Sequence, residues 1–226
     1  MRRKVEERRG NLVTIEQKNK QSSEQFRSLR SNIHFASFNK SIKTLVITSP
    51  SPGDGKTMTA SNLAMVFSQE GKRVLLVDAD LRKPSVHYLF GLSNQYGLCN
   101  HLIGQKDIHS IITNVYPNLE VITSGLTPPN SPELLGSKQM DEFISEVREE
   151  YDLVIFDTPP ILAVTDATLV ANQCDGTLLV VRVNKNEVKD VAKVKEQLNL
   201  AGANILGAIL NGKKQMKKND HYYYGN

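Results

Sequence analysis

Six short runs of nearly unbroken Val, Ile and Leu constrain most strongly what this chain can fold into: Lys43–Thr48, Arg73–Val77, Leu119–Thr123, Leu153–Phe156, Thr177–Val183 and Ile205–Leu210. A strand with one face in water alternates apolar and polar residues. These runs do not, so each reads as a strand buried on both faces, the situation of a parallel sheet covered by helices. Segments of helical spacing lie between them. Lys56–Glu70 is stopped by Gly71, a helical region interrupted near Gly136 runs to Glu150, and further helices fall near Thr165–Asn172 and over Glu187–Leu200. Val86–Phe90 and Gly97–Ile103 read as short helices, while the run from Thr127 to Pro132 reads as loop. Ahead of the first strand, Phe26, Leu29, Ile33 and Phe35 recur at near-helical spacing and predict an amphipathic helix from about Ser22 to Phe38. The alternation predicts one doubly wound α/β domain over residues 21–212, its mostly parallel sheet covered by helices on both faces. A polar leader, 1–20, precedes it and a Lys- and Tyr-rich flexible tail, 213–226, follows.

The net charge of +4 is uneven: residues 1–10 and 213–226 each carry +3, which leaves the body of the chain at about −2. Basic ends suit an anionic membrane surface or an acidic partner, or simply solvated termini. They lack the aromatic platform or recognition helix of a nucleic-acid binder, so no nucleic acid is expected as a partner. No apolar run approaches the roughly 20 residues of a membrane helix, and the first residues hold no signal-peptide core, so the expected location is cytoplasmic. Cys99 and Cys174 are far apart, without metal-ligand spacing, and are expected as buried free thiols.

The chemistry gathers where strands end. The first strand runs into Ser49-Pro50-Ser51-Pro52-Gly53-Asp54-Gly55-Lys56-Thr57, and a helix follows. Strand, tight turn and helix N-terminus make the setting of a phosphate-binding loop, a P-loop. Gly53 and Gly55 allow backbone N–H groups to approach phosphates, with Asp54 and Met58 completing the nucleotide-contacting stretch. Lys56 can reach the β- and γ-phosphates, and the Thr57 hydroxyl can bind Mg²⁺. Pro50 stands where the general pattern has its first glycine, so the loop is of a deviant type. Two further strands end in carboxylates: Leu75–Arg82, with Asp78 and Asp80, and Leu153–Pro160, with Asp157. In open parallel sheets ligands bind at the carboxyl ends of strands, so the three motifs can share one crevice that takes ATP and Mg²⁺.

At these residues the sequence resembles the bacterial tyrosine kinases, whose signature is a modified Walker A loop, an apolar-Asp-x-Asp-x-Arg strand and a strand ending Asp-x-Pro-Pro, found here in that order. The likeness runs from about Ser22 to the C-terminus and is greatest to the Gram-positive type, in which the kinase and its membrane activator are separate polypeptides. The resemblance implies phosphoryl transfer from ATP to tyrosine. Lys56, Asp78 and Asp80 would be the catalytic residues, Thr57, Asp80 and Asp157 the Mg²⁺ ligands, and Asn211 a contact to adenine or else a turn residue. Arg82 and Lys83 would contact phosphate, the acceptor or solvent. Glu24, Arg27 and Arg30 form a Glu-x-x-Arg-x-x-Arg pattern whose spacing places the three charges roughly along one helix face. Physically, Glu24 and Arg27 at i,i+3 read as an ordinary surface ion pair, while in the family the motif mediates ring-like self-association, an octamer being one ring size. Tyr222, Tyr223 and Tyr224 would be the phosphoacceptors, modified between subunits. A membrane-anchored activator that recruits the chain to the inner face of the plasma membrane, a cognate phosphotyrosine phosphatase and protein substrates of capsular or exopolysaccharide synthesis are the partners so implied.

Two other readings share the loop. Partition and septum-placement ATPases carry a second lysine five residues before the loop lysine, where this chain has Ser51. A regulatory nucleotide-binding subunit that uses ATP occupancy to signal to a membrane partner is the other, since a kinase too binds ATP and a partner.

Overall fold

The computed structural model describes residues 20–36 and 41–212. The leader, residues 37–40 and the tail with Tyr222–Tyr224 lie outside the described residues. The described chain alternates strands and helices: α1 (Lys20–Ala36), β1 (Thr44–Thr48), α2 (Lys56–Gln69), β2 (Val74–Asp78), α3 (Val86–Phe90), α4 (Leu98–Leu102), β3 (Ile112–Tyr116) and β4 (Leu119–Ile122). After these come α5 (Ser131–Leu135), α6 (Lys138–Glu150), β5 (Leu153–Asp157), α7 (Asp166–Gln173), β6 (Gly176–Arg182), α8 (Val188–Leu200) and β7 (Ile205–Asn211).

The seven strands form one sheet in the order β3-β4-β2-β5-β1-β6-β7, parallel throughout except for β3, which pairs antiparallel with β4. Period-two geometry splits each apolar run between two cores. Leu45 and Ile47 of β1 pack with Leu63, Phe67 and Ile33 on the face covered by α1 and α2. Val46 packs with Phe143, Val147 and Val170 on the face of α6 and α7. The predicted interruption near Gly136 is present: the Ser137 hydroxyl accepts the Met140 N–H at 3.3 Å and starts α6 afresh. Both cysteines are buried free thiols.

One strand was not predicted. Ile112–Tyr116 is an edge strand with exposed Thr113 and Asn114 at its centre and a register shift between Asn114 and Tyr116, so neither an apolar run nor alternation marks it. It is defined by its pairing to β4, a contact that local sequence does not encode.

The order β2-β5-β1 does the most for function. It sets three motif-bearing strand ends side by side, and the register pairs Asp157 with both Asp78 and Ile47. The loop after β1, the carboxylates after β2 and the carboxylate of β5 therefore share one crevice.

Candidate active site

Within residues 49–57 the backbone turns through two left-handed positions, Gly53 at φ 75° and Gly55 at φ 97°, before α2 begins. A Cβ built on Gly55 would stand 2.1 Å from Asn211 Nδ2, so both conformation and space require glycine there. Lys56 opens α2 and its ammonium lies 3.0 Å from Asp80 Oδ2. Burial works against that ammonium, but Asp157 and then Asp80 outweigh it and raise its pKa. The Thr57 hydroxyl meets Ser85 Oγ at 2.9 Å.

The three carboxylates differ sharply in their surroundings. Asp80 lines a cavity of about 490 Å³ with Gly55, Lys56, Thr57 and Pro159, and its Oδ1 accepts the Lys83 N–H at 3.0 Å. Asp78 is sealed from solvent behind it. Its Oδ2 accepts the N–H groups of Ser85 and Val86 at 3.0 Å each, while Oδ1 takes only a long 3.3 Å bond from the Asp80 N–H. Burial, then the neighbouring Asp157 charge, pushes the Asp78 carboxyl well up, against the two N–H groups at Oδ2. Asp157 is wholly buried and neither of its oxygens has a hydrogen-bond partner. Burial pushes its carboxyl up to about 6, with Lys56 pulling the other way. The Thr57 hydroxyl is close enough to favour the Asp157 charge, but its hydrogen bond goes to Ser85.

Two orphaned carboxylate oxygens and three carboxylates around the Lys56 ammonium form an electron-rich pocket, which is a fit for a hard divalent cation. Asp157, Asp80 and Thr57 are residues that could hold a Mg²⁺ ion there. When bound, it would neutralise charge on the β- and γ-phosphate oxygens.

Several expectations change. Arg82 borders the phosphate-loop cavity, and its Nε and a terminal nitrogen grip the wholly buried Asp166 at 2.9 and 3.1 Å, a bidentate pair anchoring the loop after β2 to α7. The Asn211 side chain donates to the Asp54 carbonyl at 2.7 Å, bracing the phosphate loop. It also borders a second cavity, about 460 Å³, with Met58, Phe26 and Leu29. Glu24, Arg27 and Arg30 are not one outward row. Glu24 and Arg27 pair on the surface, whereas Arg30 reaches inward to the Val66 carbonyl at 2.8 Å and lies 3.6 Å from Glu70, tying α1 to α2. Sequence reasoning missed Ser85, Asp166 and the loop after β6, where Arg182, Lys185 and Asn186 all touch the phosphate loop. None belongs to a local motif; only the sheet order brings them in.

Comparison with known proteins agrees with this geometry. A family model described as an AAA domain matches residues 42–207. The tyrosine-protein kinase YwqD of Bacillus subtilis (strain 168) is 47% identical over 95% of this chain and 91% of its own length. The chain belongs to the bacterial tyrosine-protein kinases. Within that family, the putative tyrosine-protein kinase CapB of Staphylococcus aureus is 41% identical over 89% of either chain. Among solved structures, the kinase domain of the Escherichia coli tyrosine kinase ETK superposes with a TM-score of 0.86 at 39% identity, covering 95% of this chain and 84% of that one. The P-loop fold expected from the three strand-end motifs and the tyrosine-kinase class implied by the resemblance are both found. Among the described residues no helix is long and apolar enough to cross a membrane.

Proposed function

We propose that this kinase transfers the γ-phosphoryl group of ATP to Tyr222, Tyr223 and Tyr224 of a neighbouring subunit, and that the transfer regulates capsular or exopolysaccharide synthesis. The observation carrying the nucleotide half is the phosphate loop abutting a buried carboxylate with two unpartnered oxygens. Three tyrosines among the last five residues support the acceptor half, because a tyrosine run set in a polar, lysine-rich end of the chain is not the pattern of a core element.

Phosphoryl transfer needs alignment and charge neutralisation more than covalent chemistry. Loop N–H groups hold the phosphates, and Lys56 exchanges Asp80 for phosphate oxygens. Asp78 takes the tyrosine proton. Its raised pKa suits that role, and Oδ1, with one long bond, is its less engaged oxygen. Asp80, facing the cavity, serves Lys56 and the metal. The second cavity takes the adenine, with Met58 and Asn211 at its wall. Replacing Tyr222, Tyr223 and Tyr224 together by Phe is expected to abolish self-labelling while ATP binding stays unchanged. Mass spectrometry that finds the label at other tyrosines in the wild type would remove the tail's role.

The assembly is proposed to be a ring of copies, recruited to the inner face of the membrane by an anchored activator and reset by a phosphatase. With Arg30 engaged inside the chain, the outward contribution of the motif rests on Glu24 and Arg27. Arg27→Ala with Arg30→Ala is expected to shift assemblies towards monomer in light scattering, and Arg27→Ala alone to account for most of the shift. If Arg30→Ala alone gives the shift, the effect comes through α1 packing instead.

A further inference from the structure

The phosphate loop of this chain is held from outside by a segment that has no place in its motifs. Asp54 sits between the two glycines of the loop, yet it is wholly buried. Its carboxylate accepts the Lys185 ammonium at 2.7 Å, the Asn186 amide at 3.0 Å and the Ser51 N–H at 2.8 Å. Three consecutive loop carbonyls are captured as well. Lys185 bonds the Pro52 oxygen, Arg182 the Gly53 oxygen at 2.7 Å, and Asn211 the Asp54 oxygen at 2.7 Å. Asn186 in turn accepts the Arg182 N–H at 2.6 Å, closing the segment on itself.

The consequence follows from the peptide group. None of these peptides is cis, and in a trans peptide the C=O and the following N–H lie in the peptide plane and point in opposite directions. Fixing the carbonyls of Pro52, Gly53 and Asp54 towards the loop after β6 therefore turns the N–H groups of Gly53, Asp54 and Gly55 the other way. Three successive N–H groups aimed to one side form an anion nest. Left-handed glycines allow that geometry but do not hold it, because glycine is also the residue with the most alternatives.

We infer that Arg182–Asn186 is a latch that presets the phosphate loop for the nucleotide, with Lys185 as the positioning residue that joins the buried Asp54 carboxylate to the Pro52 carbonyl. Lys185 acts through the loop and touches no reacting atom. Its removal leaves Asp54 buried without a counterion, so the loop relaxes and the ordering must be supplied when nucleotide binds. The inference rests on reading this loop as the ATP site. The test keeps the two apart by using a fluorescent ADP analogue, which reports the loop without any transfer.

Lys185→Met is expected to weaken analogue binding about tenfold and to raise KM for ATP by a similar factor, with a smaller change in kcat. Lys185→Arg, which keeps a cation at that place, should recover most of the loss. Asp54→Asn combined with Lys185→Met should bind no more weakly than Lys185→Met alone, since both act on one link. Melting and circular dichroism of each variant report whether it is folded, and an Arg182→Ala variant, which frees the Gly53 carbonyl, probes the latch if Lys185→Met does not fold. A folded Lys185→Met that binds the analogue as tightly as wild type overturns the latch. A wild type that fails to bind the analogue overturns the ATP site instead.

Discussion

Lys56→Met is expected to lose phosphotyrosine formation, falling by on the order of 10³-fold or more, while the protein still melts cooperatively. The ammonium sits among Asp157, Asp80 and Asp78, whose charges all act on it, and it opens the helix that follows the phosphate loop. In the resting site it is held by Asp80 at 3.0 Å, so it is already oriented before ATP arrives. Methionine keeps the length of the side chain and its packing but supplies no donor. The three carboxylates then lose the Lys56 charge, and proton uptake relieves them more cheaply than unfolding does. Tm should fall modestly in magnesium-free buffer, and labelling of the tail by radioactive phosphate should vanish. A variant that still labels its tail would remove Lys56 from the mechanism.

Asp157→Asn is expected to abolish activity and, in magnesium-free buffer near pH 8, to raise Tm above that of the wild type. The carboxyl titrates near 6 in the fold and near 4 when unfolded, so the folded protein binds its proton more tightly. Stability attached to that proton is fully present below about pH 4, is lost as the pH rises through 6, and stays lost above it. The ionised, wholly buried carboxylate then costs on the order of 2–3 kcal/mol, which asparagine avoids, and Lys56 keeps Asp80 as its partner. The stability advantage of the variant should grow between pH 4 and 6 and level off beyond. Added Mg²⁺ should raise the Tm of the wild type and not that of Asp157→Asn. A variant less stable than wild type at pH 8 without magnesium would show that Asp157 is no reservoir of unfavourable charge.

Much of this was legible in the sequence because the information is local. KTLVIT before a glycine loop, LLVDADLR and LVIFDTPP each declare a buried strand with a functional end, and a parallel sheet needs only their order to make a crevice. What stayed hidden is set by distance along the chain. β3 is polar at its centre and is defined by its partner strand. The Arg82 pairing with Asp166 spans 84 residues, and the Lys185 grip on Asp54 spans 131, so no spacing rule reaches them. Arg30 shows the reverse hazard. The motif reads as three charges on one face, but in the fold one of them is used against α2, because a carbonyl at the end of that helix lies within its reach.

The most direct measurement incubates the pure full-length chain with γ-labelled ATP and Mg²⁺, with and without a cytoplasmic fragment of a membrane activator, and assays phosphotyrosine and free phosphate together. Phosphotyrosine that maps to Tyr222, Tyr223 and Tyr224, and that is lost in Lys56→Met, is the predicted result. Release of free phosphate with no phosphotyrosine under either condition would contradict it and return the chain to the switch ATPases that share its fold.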